Sequence, residues 1–138
     1  MTGPDFLDTN VVVYAFDAGS PEKQKVSREL LKSGIAGRAV ISTQVLAEFA
    51  SARLHKTSPR ASADAVMRGL DALSAIRTIV PDRELIRRAV EAHAAYGIHF
   101  YDGMIVAAAE RGGCGRIWSE DLNASQKYFG VVVENPFP

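Results

Sequence analysis

The stretch Phe6-Leu7-Asp8-Thr9-Asn10-Val11-Val12-Val13-Tyr14-Ala15-Phe16 decides how the chain is read. Phe6-Leu7 opens a short buried strand, Asp8-Thr9-Asn10 are three residues suited to capping, and Val11 to Phe16 can form a helical turn. An acid therefore stands at a strand-to-helix junction. Working outward, Ser20-Pro21-Glu22 supplies a cap, a proline at the first helical position and a first-turn acid. The helix that follows runs through Val26, Leu30 and Leu31 and ends near Gly34 and Gly37. A second strand covers Ala39 to Ser42, and Thr43 caps a helix from Gln44 to about His55; Ser42, with no histidine placed by sequence to activate it as a nucleophile, is also read most simply as capping that helix. Ser58-Pro59 interrupts the pattern before a helix carrying Ala65, Val66, Leu70 and Leu73. Thr78 to Val80 reads as a third strand, Asp82 to Tyr96 and Tyr101 to Arg111 as helices, Arg116 to Trp118 as a fourth strand and Val131 to Val133 as a fifth. Short apolar strands alternating with helices predict an α/β sandwich. Its central, mostly parallel sheet of four to five strands is flanked by helices, because parallel strands need crossovers and are covered on both faces.

The 138 residues fit one domain, 1–138. Sixteen Lys and Arg balance sixteen Asp and Glu, so no global positive field draws the chain to nucleic acid or anionic membrane, and polyanion binding must come from a local patch. Cys114 is the single cysteine, which excludes an intramolecular disulfide and a thiolate-based zinc site and fits a reducing cytoplasm. Met1-Thr2-Gly3-Pro4-Asp5 has neither a basic nor an apolar targeting region, and the longest apolar runs fall far short of a membrane span. The expectation is a cytoplasmic protein with no membrane partner.

Four acids sit in unexpected company. In a helix from Tyr101, the residues Ile105, Val106 and Ala109 share a face with Asp102, so this carboxylate falls on the side that should be buried. Asp8 lies between Phe6-Leu7 and Val11-Val12-Val13, Glu48 flanks the stripe of Val45, Phe49 and Ala52, and Asp121 follows the strand Arg116 to Trp118. Capping explains Asp8 or Asp102 taken singly, a solvated edge explains Glu48, and a turn explains Asp121. Together they share a position: two follow carboxyl ends of strands, where open parallel sheets place their ligand crevices, and two lie near helix starts that can point there. Four acids in one crevice repel one another, and a hard divalent cation, Mg²⁺ or Mn²⁺, resolves that conflict. The combination suits phosphodiester hydrolysis.

The motifs Phe6-Leu7-Asp8-Thr9-Asn10, Ile41-Ser42-Thr43-Gln44-Val45-Leu46-Ala47-Glu48-Phe49, Tyr101-Asp102-Gly103-Met104-Ile105-Val106-Ala107-Ala108-Ala109 and Trp118-Ser119-Glu120-Asp121-Leu122-Asn123 resemble, in order and spacing, those of PIN-domain ribonucleases. The tail Gly130-Val131-Val132-Val133-Glu134-Asn135-Pro136-Phe137 resembles the ending of the VapC-type toxins within that family. The resemblance implies a PIN-like fold and a metal-dependent endoribonuclease. Asp8, Glu48, Asp102 and Asp121 would be its catalytic and metal-binding acids, with Thr9 and Asn10 as supporting polar residues. It further implies an RNA substrate, a cognate VapB-like antitoxin and a homodimer. Ser125 stands where similar toxins often have glycine, and Gly103 stands where alanine is usual.

Other features attract less weight. His55, His93 and His99 are scattered, without the spacing of a zinc hydrolase. Gly112-Gly113-Cys114-Gly115 follows a helix and precedes a strand, the reverse of a phosphate cradle. Arg53, Lys56, Arg60 and Arg68, opposed only by Asp64, form either a solvated face or a contact for RNA phosphates or a partner. An apolar groove around Val13, Phe16, Leu30 and Leu31 could receive a partner's amphipathic segment. A phospho-receiver or aspartyl-phosphate phosphatase is disfavoured because Asp8-Thr9-Asn10 lacks the second acid of that nucleophile motif. The alternative outside enzymology is a catalytically silent PIN-like RNA- or protein-binding module.

Overall fold

The computed structural model describes residues 3–138; Met1 and Thr2 of the N-terminal stretch read above lie outside the described residues. The chain forms β1 (Asp5–Leu7), α1 (Thr9–Tyr14), α2 (Pro21–Ile35), β2 (Ala39–Ser42), α3 (Thr43–His55) and α4 (Ala63–Leu73). It continues through β3 (Arg77–Ile79), α5 (Arg83–Tyr96), α6 (Phe100–Arg111), β4 (Arg116–Trp118), β5 (Lys127–Tyr128) and β6 (Val131–Glu134). The strands make one sheet in the order β3-β2-β1-β4-β6-β5, parallel throughout except for the β5–β6 pair. The sheet thus has six strands, where the pattern predicts four to five. The extra strand is only two residues long, too short for an apolar alternation to register. It is closed onto β6 by Phe129 and Gly130, both at positive φ (49° and 82°), the backbone sense of a tight hairpin turn.

Of the two cap candidates for α3, Ser42 is the cap, its Oγ accepting the Val45 N–H at 3.3 Å, and Thr43 is the first helical residue. Two local boundaries shift. The third strand ends at Ile79, and Val80 is exposed. His99 caps α6, its ring nitrogen accepting the Tyr101 N–H, so Asp102 is the third helical residue and no cap.

Strand alternation sends Phe6, Ile117 and Val133 to one side of the sheet, all fully buried. Helix α6 is buried along most of its length, with Val106, Ala108 and Ala109 inaccessible. Gly103 explains how α5 packs so closely on it. A Cβ at this position would stand 2.5 Å from the Ala89 carbonyl oxygen of α5, so the alanine usual in the resemblance would force the two helices apart. On another part of the sheet, Arg116 joins Asp5 (2.9 Å) and Glu134 (3.1 Å), while the Trp118 indole N–H donates to Asp5 at 2.9 Å and the guanidinium lies over the Trp118 ring.

The sheet order sets the site. From β1 the chain moves outward through β2 and β3, then returns to place β4 on the other side of β1. Strand order therefore reverses between β1 and β4, and ligands of open α/β sheets bind beyond the carboxyl ends at such a switch point. Among the described residues no helix is long and apolar enough to cross a membrane.

Candidate active site

Asp8 leaves the carboxyl end of β1 as the cap of α1, and both sequence readings of it, cap and crevice acid, hold at once. Its Oδ1 accepts the Thr9 N–H at 2.7 Å, and its Oδ2 accepts the Ser119 hydroxyl at 2.7 Å across the β1–β4 junction. Only 7% of the residue is exposed. Burial pushes the carboxyl up to about 6, with the charges of Asp121 and Asp102 adding to the rise and the two hydrogen bonds opposing it.

Thr9 and Asn10 begin α1 and face two other acids. The Thr9 hydroxyl donates to Glu48 Oε1 at 2.6 Å, and Asn10 Nδ2 donates to Asp121 Oδ2 at 2.6 Å. Glu48, on α3, also accepts weakly from Gln44 Nε2, one turn earlier, at 3.4 Å. The loop after β4 is drawn in by Ser119, whose buried Oγ accepts the backbone N–H groups of Asp121 and Leu122. Asp102 is raised above the ordinary carboxylate value by burial, with His99 opposing and Asp121 and Glu48 reinforcing. Asp121 is raised by burial, then by Glu120 and Glu48. Asp8, Asp102 and Asp121 thus each feel the charge of neighbouring acids.

The four acids, Thr9 and Asn10 line one cavity of about 270 Å³, with Gln44, Ser51 and Lys56 on the α3 wall and Ile105 opposite. Lys56 is the only cationic side chain on that lining, and it is exposed. Arg53 and Arg60, read with it as contact candidates, fall elsewhere, lining a second cavity with Phe16 and Pro59. The apolar groove expected of Val13, Phe16, Leu30 and Leu31 is not one surface. Val13 is buried, Phe16 belongs to the second cavity, and Leu30 lines a third with Val26, Trp118 and Pro136.

Among the described residues no three His, Cys, Asp or Glu side chains are close enough together to enclose a metal ion. The donor set nevertheless suits Mg²⁺ or Mn²⁺. It is all oxygen, and such ions are held by one or two carboxylates with water and phosphate filling the remaining positions. Gln44 adds a second observation: its Nε2 is engaged by the Tyr101 carbonyl at 3.0 Å, while its Oε1 is buried with no hydrogen-bond partner. A donor brought into the cavity, such as a water of hydration or a substrate hydroxyl, would satisfy it.

Ser119 and Gln44 carry no role in the sequence reading, although both sit inside the motifs it quotes. Their partners are 111 and 57 residues away, beyond any local period. Glu120, next to Asp121, is drawn out of the cavity by Lys23 (2.5 Å) and the Tyr14 hydroxyl (2.8 Å), which tie the loop to α2 and α1.

A family profile, "PIN domain", matches residues 6–130. No curated protein matches significantly. Among solved structures, the chain is similar to a toxin-antitoxin complex from Klebsiella pneumoniae at 18% identity and a TM-score of 0.68, over 96% of this chain and 98% of that one. It is similar to VapBC2 from Rickettsia felis, bound to a DNA fragment from their promoter, at 20% identity and 0.66, over 95% and 97%. It is also similar to Mycobacterium tuberculosis VapC20, described as a sarcin-ricin loop cleaving toxin, at 18% identity and 0.68, over 93% and 98%. At these identities the structures establish a shared fold. The family match, spanning all four acids of the switch-point cavity, establishes more: the chain belongs to the PIN-domain family.

Proposed function

We propose that the protein is a Mg²⁺- or Mn²⁺-dependent endoribonuclease, the toxin of a toxin-antitoxin pair, acting on RNA in the cytoplasm. The observation that carries this reading is the convergence of Asp8, Glu48, Asp102 and Asp121 on one cavity at the strand-order switch, where burial and then the charges of neighbouring acids raise Asp8, Asp102 and Asp121. A protein that only needed stability would not retain it.

Carboxylates from among these four would hold the ion, with water and phosphate completing its shell; when bound, it supplies Lewis acidity to an attacking water and charge compensation to the phosphate. Thr9, Asn10 and Ser119 fix the carboxylate orientations through hydrogen bonds of 2.6 to 2.7 Å. Ile105 and Ala52 give the cavity an apolar wall, and Lys56 is placed to contact a neighbouring phosphate. Water adds to phosphorus as the bond to the 3′ oxygen breaks, so the products carry 5′-phosphate and 3′-hydroxyl ends. An RNase that used its substrate's 2′-hydroxyl would leave a cyclic phosphate instead.

A cytoplasmic nuclease of this kind needs restraint. The resemblance to toxins and the toxin-antitoxin complexes among its structural relatives support a VapB-like antitoxin as partner, and the resemblance alone supports a homodimeric toxin. An arginine from the partner would suit the acidic cavity, since its planar donors match carboxylates and its charge replaces the cation. The test is cleavage of a structured RNA with Mg²⁺ or Mn²⁺ and with EDTA. Cleavage with either metal, none in EDTA and 5′-phosphate products are expected. Undiminished cleavage in EDTA would sink the metal reading, and no cleavage with either metal would leave a silent binding module.

A further inference from the structure

His99 and Tyr101 form an aromatic surface at the start of α6 that the acids do not use. Their rings stack at 5.8 Å between centroids and 23° from parallel, and the Phe100 ring stands edge-on to Tyr101 at 5.2 Å. Tyr101 is 55% exposed, whereas Tyr128 is 2% exposed in the core. Capping explains His99 only in part. The cap needs one acceptor for the Tyr101 N–H, which serine or aspartate supplies as well; histidine adds a ring, and that ring backs the exposed tyrosine.

The position of this surface gives it meaning. Tyr101 directly precedes Asp102 in the first turn of α6, and its carbonyl oxygen accepts from Gln44. Asp102 and Gln44 both line the acidic cavity, so the Tyr101 backbone is held beside the cavity from two sides, while the two rings stand outside its lining. Even with a cation over the acids, Lys56 is the one cationic side chain on the cavity's lining. Contacts that do not depend on charge would therefore add to substrate affinity. Stacking of an unpaired base on an aromatic side chain is such a contact, and it tolerates any base because every base has a π face.

We propose that the His99–Tyr101 stack is a binding platform for one unpaired base of an RNA substrate, flanking the phosphate held over the acids. The platform rests on the ribonuclease reading above. It would favour cleavage in loops and single strands, where a base can leave its neighbours, and would exclude continuous duplex.

The test uses the full chain and a hairpin oligoribonucleotide whose cleavage site is first mapped with the unaltered protein. Tyr101→Ala should raise KM about tenfold with kcat within about twofold, since the lost contact is made equally before and during the reaction. Tyr101→Trp and Tyr101→Phe should restore KM, and an abasic nucleotide beside the cleaved phosphate should cost as much as Tyr101→Ala. Combined, the two changes should cost no more than either alone. Additive losses, or a KM indifferent to Tyr101, would overturn the platform while leaving the nuclease intact. So would a Tyr101→Ala protein that cleaves normally but no longer associates with a second copy, which would make the ring a protein contact. If the unaltered protein cleaves no RNA with either metal, the ribonuclease reading fails, and the platform with it.

Discussion

An aspartate marks each end of β1, and the fold treats the two in opposite ways. Asp5, at the start, is met by Arg116 at 2.9 Å and by the Trp118 indole, and Glu134 completes the network on the same arginine. Asp8, immediately after the strand, is the more buried of the two and faces three further acids and no arginine. What it receives instead are neutral donors from Thr9 and Ser119. Those donors orient the carboxylate without neutralising it. The contrast separates two arrangements of charge in one small sheet: a closed network that holds strands β1, β4 and β6 together, and an open one whose carboxylates are held by neutral donors.

The sharpest way to break this distinction is to remove charge from the open end. Asp102→Asn and Asp8→Asn keep shape but delete a carboxylate, and each should lower cleavage of a hairpin RNA by at least about a hundredfold, more than the loss typical of residues that only support a metal ligand. Retained cleavage together with a lower melting temperature in EDTA would make these residues structural rather than catalytic.

Stability should move the other way. Asp8 has its carboxyl at about 6 in the fold against an ordinary value of 3.8. A raised folded value means that the protonated form is favoured by folding. The stabilising contribution is full below the unfolded value and is lost as pH rises through about 6. In EDTA at neutral pH, Asp8→Asn should therefore stabilise the protein, with an upper bound on the order of 3 kcal/mol at about 1.4 kcal/mol per pH unit. The gain should fade as pH falls from about 7 to 4, where the unaltered protein recovers it by protonation. Urea midpoints across that range check the sign, and a gain that grows on acidification would contradict it.

At the closed end, Arg116→Leu should destabilise by about 2 kcal/mol, below the usual cost of breaking a buried pair because these side chains are partly solvated. Adding Asp5→Asn should recover part of the loss, since it removes one of the stranded charges. If Arg116→Leu were neutral and Asp8→Asn destabilising, the two ends would have been assigned the wrong way round.

Much of the open end is legible in the sequence, and almost none of the closed end is. Asp8 and Asp102 announce themselves because a charge inside an apolar run violates local patterning, and the strand-helix alternation puts Asp8 and Asp121 after strands that can lie side by side. Asp5 sends no such signal: it is an acid near the N-terminus until β1 and β4 pair in register and set it opposite Arg116, 111 residues on. Ser119 and Gln44 are hidden for the same reason, as small polar residues whose partners come from other strands and helices. Where the sequence reading leaves two cap candidates, Ser42 and Thr43, or is off by a residue, at Val80, competing local signals are nearly equal. Serine and threonine both cap helices, and an apolar Val80 looks like strand although it is exposed.

The smallest effect lies on the segment that links the two ends, the loop running from Asp121 after β4 to the hairpin that leads into Glu134. Ser125 sits in it at a φ of 67°, in the left-handed region, with its N–H held by the Val133 carbonyl at 2.7 Å. An L-residue there costs roughly 1–2 kcal/mol, while glycine avoids that cost but loses about 0.5–1 kcal/mol more chain entropy on folding. Ser125→Gly should therefore stabilise the protein by roughly 0.5 kcal/mol, visible as a small rise in the urea midpoint with an unchanged slope. Cleavage should stay the same, because Asp121 is positioned by Asn10 and Ser119 rather than by the far side of the loop. A fall in stability would mean that the Ser125 side chain makes a contact worth more than its backbone strain. A change in cleavage without a change in stability would mean that the loop's conformation sets the position of Asp121, and the open end would then depend on this segment as well as on α1 and β4.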